Sequence, residues 1–169
     1  MNNNVIIVGV GEIGVSNRPG YMIKTFALGS CVAVIMYDLK SHVVGMVHIA
    51  LPDSNIDPIK AQEKPGYFAD TGIPTLIQKI NKLRYNYNNK GISNKGIIVK
   101  IAGGSNIMDP NNRFNIGKRN ILAVKKVLWS YGMGPLSEDI GKDYSRTVTV
   151  IVDTGEVIIS SPGKPCWKI

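Results

Sequence analysis

The chain has 169 residues, 44% of them apolar and 19% charged, as in soluble globular proteins with room for one sizeable core. Two cysteines are too few for a disulfide framework, and a Cys31–Cys166 bridge is not expected in a cytosolic chain. Two histidines and two cysteines, scattered along the sequence, match no zinc spacing, so neither metal nor cofactor is expected.

The formal net charge of +8 is unevenly placed. Residues 1–78 hold five Lys and Arg against six Asp and Glu, and residues 79–169 hold fifteen against six. A basic half of this kind favours an acidic partner (nucleic acid, a membrane surface or an acidic protein) or is simply a solvated face.

Met1-Asn2-Asn3-Asn4 carries no basic segment, and the apolar run Val5–Val8 is too short for a signal peptide or a membrane span. A cytoplasmic protein without membrane insertion is the expectation. Val5–Val8 itself reads as a strand. Gly9-Val10-Gly11-Glu12-Ile13-Gly14 fits G-x-G-x-x-G, but Asn17, Pro19 and Gly20 follow at once and no helical stripe opens there. The segment therefore reads as a glycine-rich turn between strands.

Further β-branched runs predict strands at Met22–Leu28, Cys31–Tyr37 and Val43–Leu51. The polar stretch from Pro52 to Pro65 reads as a long surface loop. Ile73, Leu76, Ile77, Ile80 and Leu83 recur at helical spacing, with Pro74 expected in the first turn of that helix. A strand over Gly96–Ala102 precedes a second helical stripe, Ile121, Val124, Leu128 and Tyr131, stopped at Gly132. Strands at Thr147–Val152 and Glu156–Ser160 flank the turn signal Asp153-Thr154-Gly155. The order of elements predicts an α/β protein with layered sheets, mostly antiparallel or mixed, and one domain over residues 1–169.

The strands at Cys31–Tyr37 and Val43–Leu51 form a natural hairpin around Asp38-Leu39-Lys40-Ser41. With Leu39 and Lys40 as the loop, Cys31 faces His48 and their Cβ atoms stand ~5 Å apart. His42 lies near the turn, roughly 20 Å of strand from Cys31, and reads as a surface residue. An imidazole beside a thiol can take its proton and give the thiolate–imidazolium pair of cysteine hydrolases. Gly29 allows close backbone approach, and the N–H groups of Ser30 and Cys31 are candidate oxyanion donors. The plain alternative is a buried apolar thiol beside a satisfied core histidine. Ser30 lacks the G-x-S-x-G frame of a nucleophilic serine.

These residues resemble the CheD family. Thr25-Phe26-Ala27-Leu28-Gly29-Ser30-Cys31-Val32 is similar to its T-x-x-L-G-S-C-V motif, and Met46-Val47-His48-Ile49-Ala50-Leu51-Pro52 to its second block. The resemblance continues through Tyr67–Asp70, Ala102–Asn106, Ile116–Asn120, Asp139–Arg146 and Asp153–Glu156. It implies a protein-glutamine deamidase of chemoreceptor cytoplasmic helices, active in some cases on glutamyl methyl esters, with a layered α/β fold like that of toxin-type deamidases. It implies Cys31 as nucleophile, His48 as base and Thr25 as the residue that orients the histidine. Methyl-accepting chemoreceptors are the implied substrates, and a CheC-type phosphatase is the regulatory partner known for several members. By residue type alone, Thr25 is an ordinary strand residue. Lys142 stands where a second glycine is expected after Gly141, and Cys166 lies outside the family pattern.

Two other classes of function stay open at this level. One is a non-catalytic adaptor for receptors or a phosphatase, which has no need of Thr25, Cys31 and His48. The other is single-stranded nucleic-acid binding through Lys82-Leu83-Arg84-Tyr85-Asn86-Tyr87, which reads more simply as a helix end where cations suit the dipole. No nucleic-acid partner is expected.

Overall fold

The computed structural model describes residues 4–88, 94–107, 111 and 113–169, without the side chains of residues 85–88. The described chain runs β1 (Val5–Ile7), β2 (Ile13–Ser16), β3 (Met22–Leu28), β4 (Val32–Asp38), β5 (Val43–Ile49), α1 (Pro58–Glu63), α2 (Ala69–Asn88), β6 (Ile97–Gly103), α3 (Ile116–Ser130), β7 (Pro135–Ile140), β8 (Arg146–Ile151), β9 (Val157–Ser160) and β10 (Trp167–Lys168). One sheet has the order β1-β3-β8-β9-β10 and the other β2-β5-β4-β6-β7. Each contains one parallel pair, β1 with β3 and β6 with β7; the other pairs are antiparallel. The layered α/β class with mixed sheets is as expected.

The middle strands of the second sheet explain the layering. All seven residues of β4 and all seven of β5 are buried, because both faces of that sheet are covered. On one face, Val32, Val34, Val47 and Ile49 pack with Ile73, Leu76 and Ile80 of α2 and Val124 and Leu128 of α3. On the other, Ala33, Ile35, Val44 and Met46 pack with Ile23, Val148, Val150 and Ile159 of the first sheet. Side-chain alternation along β4 and β5 thus sorts residues between a helix layer and an inter-sheet layer.

Several elements differ from the sequence expectations. Strands β2, β7 and β10 were not foreseen; β7 carries Ser137, Glu138 and Asp139, and its parallel pairing with β6 comes through α3 rather than through apolar patterning. The stretch from Pro52 to Pro65 is not a plain loop. Asp53 accepts from Asn55 N and caps a 3₁₀ turn at Ser54–Ile56, and Asp57 caps α1, with Pro58 at its start. Helix α2 begins at Ala69, so Pro74 lies inside it rather than in its first turn and deletes one helical hydrogen bond. Lys82–Tyr87 falls within α2, where Arg84 donates to Asp38; the side chains of Tyr85, Asn86 and Tyr87 lie outside the described residues.

The hairpin register is also different. Asp38 pairs with Val43 and Ala33 with His48, two residues away from the expected pairing of Cys31 with His48. A two-residue loop of Leu39 and Lys40 would need positive φ at Leu39, and in the commonest form at Lys40 as well. Instead the loop spans residues 39–42, only His42 of it at positive φ (51°), and Asp38 closes it by accepting from Ser41 Oγ at 2.5 Å. His42 is exposed, as expected, with Nδ1 3.0 Å from Tyr37 Oη.

The two sheets are joined by a buried ion pair. Arg146 of β8 is fully buried and donates through Nε and Nη2 to Asp139 of β7, at 3.2 and 3.1 Å. Trp167 Nε1 and Lys142 Nζ also donate to that carboxylate. Lys142 adopts the left-handed conformation (φ 65°) that a glycine would take more readily. Burial alone would raise the Asp139 carboxyl, but Arg146 and Lys142 outweigh it and hold the group below its ordinary value of 3.8. The depressed carboxylate stabilises the fold at higher pH, and the contribution is lost as pH falls through the folded-state value, below 3.8. Arg146→Met should cost about 3 kcal/mol in urea unfolding at neutral pH, because it removes the buried cation and leaves the Asp139 carboxylate with only Lys142 and Trp167 as partners. The gap should narrow in acid below the Asp139 titration.

Candidate active site

The site lies where β3 of one sheet hands the chain to β4 of the other. Ala27 takes positive φ (53°), the β3–β8 register shifts between Thr25 and Leu28, and the chain bends through Gly29 and Ser30. This fold-back places Thr25 on one sheet and His48 on the facing one, both pointing into the inter-sheet layer. Thr25 is fully buried and His48 is 2% exposed.

Thr25 Oγ1 lies 2.7 Å from the carbonyl oxygen of Val8 and 2.8 Å from His48 Nδ1. The hydroxyl has a single proton, and the Val8 carbonyl can only accept it. The hydroxyl must therefore accept from Nδ1–H. In the neutral ring this leaves Nε2 unprotonated, a free base. Nε2 is buried and, among the described residues, has no hydrogen-bond partner.

Cys31 is half-buried and packs against the inter-sheet cluster. It lies two residues before Ala33, the direct partner of His48, so alternation puts it on the same face. Thiol and imidazole are diagonal neighbours, with backbones about 7–8 Å apart if the pleat continues. The register slip therefore changes their relation from opposed to diagonal and keeps them on one face.

The loop that carries Cys31 is held through its carbonyls. Gly29 O accepts from Ser105 N and Ser105 Oγ, both at 2.8 Å. Ser30 O accepts from Asn120 Nδ2 at 2.9 Å, and Cys31 O from Gly104 N at 2.7 Å. Three successive carbonyls thus turn toward the end of β6 and α3. Among the described residues no carbonyl accepts from the N–H of Ser30 or Cys31. Gly103 must be glycine for this approach: its φ is 116°, and a Cβ there would stand 2.2 Å from Cys31 O.

The glycine-rich segment after β1 has a part that its sequence concealed. Gly11 N donates to His48 O at 2.8 Å, His48 N to Glu12 O at 3.2 Å, and Val8 O receives the Thr25 hydroxyl. A segment read as a mere turn is the backbone cradle of the histidine.

Burial pushes the His48 imidazole down to about 4, helped by the nearby Lys64 ammonium and opposed by Glu12. Burial also raises the Cys31 thiol, against a smaller downward pull from its own N–H. Thiol and imidazole are both uncharged at neutral pH. An imidazole bare at Nε2 on the same face as a thiol is suited to exchange a proton with it, and among the described residues no carbonyl accepts from the N–H groups of Ser30 and Cys31.

Comparison with known proteins gives the family. A family model described as CheD chemotactic sensory transduction matches residues 50–161. The chain belongs to the CheD family. A probable chemoreceptor glutamine deamidase CheD of Syntrophotalea carbinolica is 52% identical over 97% of this chain and 98% of its own length. The chemoreceptor glutamine deamidase CheD of Thermotoga maritima is 38% identical over 93% of this chain and 92% of its own. The family-model match begins after Thr25, Cys31 and His48, which lie outside it.

Cysteine 166 is exposed and free, and Cys31 is also unbridged. Among the described residues, no group of His, Cys, Asp and Glu could hold a metal ion, and no helix is long and apolar enough to cross a membrane.

His48 sets a pH dependence of stability. Between the ordinary value of 6.5 and about 4 the unfolded chain binds a proton at His48 that the folded chain does not. Stability should therefore fall as pH drops through that window, by roughly 3 kcal/mol at most. Urea unfolding of wild type and His48→Gln across this range should show that slope in the wild type and its loss in the variant.

Proposed function

We propose that the chain is a cysteine-dependent deamidase of glutamine side chains on chemoreceptor cytoplasmic helices, acting in chemotactic adaptation. The observation that carries this reading is the His48 ring: Nδ1–H committed to Thr25, Nε2 free and buried on the face shared with Cys31. A structural histidine in a core would have both nitrogens satisfied. The names of the two relatives above agree with the reaction.

In the proposed reaction, Nε2 takes the thiol proton as Sγ attacks the side-chain carboxamide carbon, so the ion pair forms during attack and not at rest. The oxyanion sits against the N–H groups of Ser30 and Cys31, with Gly29 leaving the approach open. Collapse expels ammonia, which takes the proton from Nε2–H, and leaves a thioester. Water then attacks, giving its proton to Nε2, and the second collapse releases glutamate and restores the thiol. A glutamyl methyl ester would follow the same steps with methanol leaving. Thr25 holds the ring and its tautomer throughout.

The substrate partners in this reading are methyl-accepting chemoreceptors, with a CheC-type phosphatase as regulator, and the reaction takes place in the cytoplasm. Receptor cytoplasmic fragments incubated in heavy-oxygen water should acquire label at specific glutamines with wild type and none with Cys31→Ala, read by peptide mass spectrometry. Label that persists with Cys31→Ala would contradict the assignment of the nucleophile. Absence of label with both proteins on every receptor would favour the adaptor instead.

A further inference from the structure

The β4–β5 ladder ends at Val32 paired with Ile49, and beyond it the two chains part. One bends through Cys31 and Ser30 toward β3. The other turns at Ala50, whose N–H donates to Tyr67 O at 2.9 Å. The carbonyls of Ser30 and Ala50 are left beyond the ladder, and one group meets both: Asn120 Nδ2 donates to Ser30 O at 2.9 Å and to Ala50 O at 2.8 Å. An amide nitrogen carries two hydrogens, so it can make both bonds at once.

Asn120 is a costly choice for this place. It is fully buried on the inner side of α3, with Val124 and Leu128 following on the same stripe. Its Oδ1 is buried and, among the described residues, has no partner. An orphaned buried acceptor destabilises a fold, and a leucine of similar volume would avoid that. What asparagine supplies and leucine cannot is the double donation.

We propose that Asn120 is a positioning residue that ties the Cys31 loop to the segment after His48 and so sets the distance from Sγ to Nε2. It stands in for the ladder bond that the parting strands cannot make. Ser30 and Ala50 each adjoin a reacting residue, at one and two positions, so a shift of either carbonyl moves thiol and imidazole relative to each other. Its effect on turnover rests on the deamidase reading; its effect on the thiol does not.

The experiment uses the full chain with Cys166→Ser, so that Cys31 is the reporting thiol. Carbamidomethylation of Cys31 is followed from acid to alkaline pH in this background and in Asn120→Ala and Asn120→Asp, the second keeping the volume if the first does not fold. Rates are scored on the folded fraction. The background should alkylate with an acidic limb at the His48 titration. The variants should lose that limb and follow one thiol ionisation, and their turnover of receptor fragments should fall about 100-fold with KM unchanged, as misplacement by an ångström does. Variants that keep the background profile, or that lose rate only in proportion to folded protein, would overturn the proposal. If the background leaves every receptor fragment unchanged while the alkylation profiles still separate, the deamidase reading fails and the positioning role stands.

Discussion

One proton on one hydroxyl organises this site. Thr25 gives its hydrogen to Val8 O and can meet His48 Nδ1 only as an acceptor, so the neutral imidazole has one tautomer available. That choice leaves Nε2 unprotonated, and among the described residues nothing engages it. The arrangement needs two sheets face to face, because threonine and histidine come from different ones.

The surrounding structure serves that contact. The fold-back through Ala27–Ser30 carries the chain from the sheet that holds Thr25 to the sheet that holds His48, and Cys31 sits at the splice. The glycine-rich segment holds the histidine backbone, while Gly104, Ser105 and Asn120 hold the carbonyls of the cysteine loop. Arg146 and Asp139 fasten the two sheets at the neighbouring end of β8, whose Arg146 pairs with Leu28. Burial raises the Cys31 thiol and lowers the His48 imidazole, so both are uncharged at rest; in the proposed reaction charge separates only on attack.

Much of this was legible in the residues. Short β-branched runs marked Met22–Leu28, and the Cys31–His48 hairpin stood out because its two strands, buried on both faces, read as continuous apolar runs. The pairing itself was misplaced by two residues because Asp38 closes a longer loop through Ser41, a side-chain contact with no period in the sequence. A slip by an even number leaves Cys31 and His48 on one face. Strand β7 escaped because Ser137, Glu138 and Asp139 carry no strand pattern and pair only after α3 brings them beside β6. Asn120 closes the Ile116–Asn120 block of the family resemblance, but its role was not legible there because its partners are 90 and 70 residues away. Thr25 drew notice through the family motif and not through residue type.

The most direct test is nitrogen NMR of the His48 ring in the intact protein at neutral pH. A neutral imidazole protonated at Nδ1 and bare at Nε2 is the expected state, with the Nδ1–H coupling lost in Thr25→Val. A ring protonated at Nε2, or an imidazolium at rest, would contradict it.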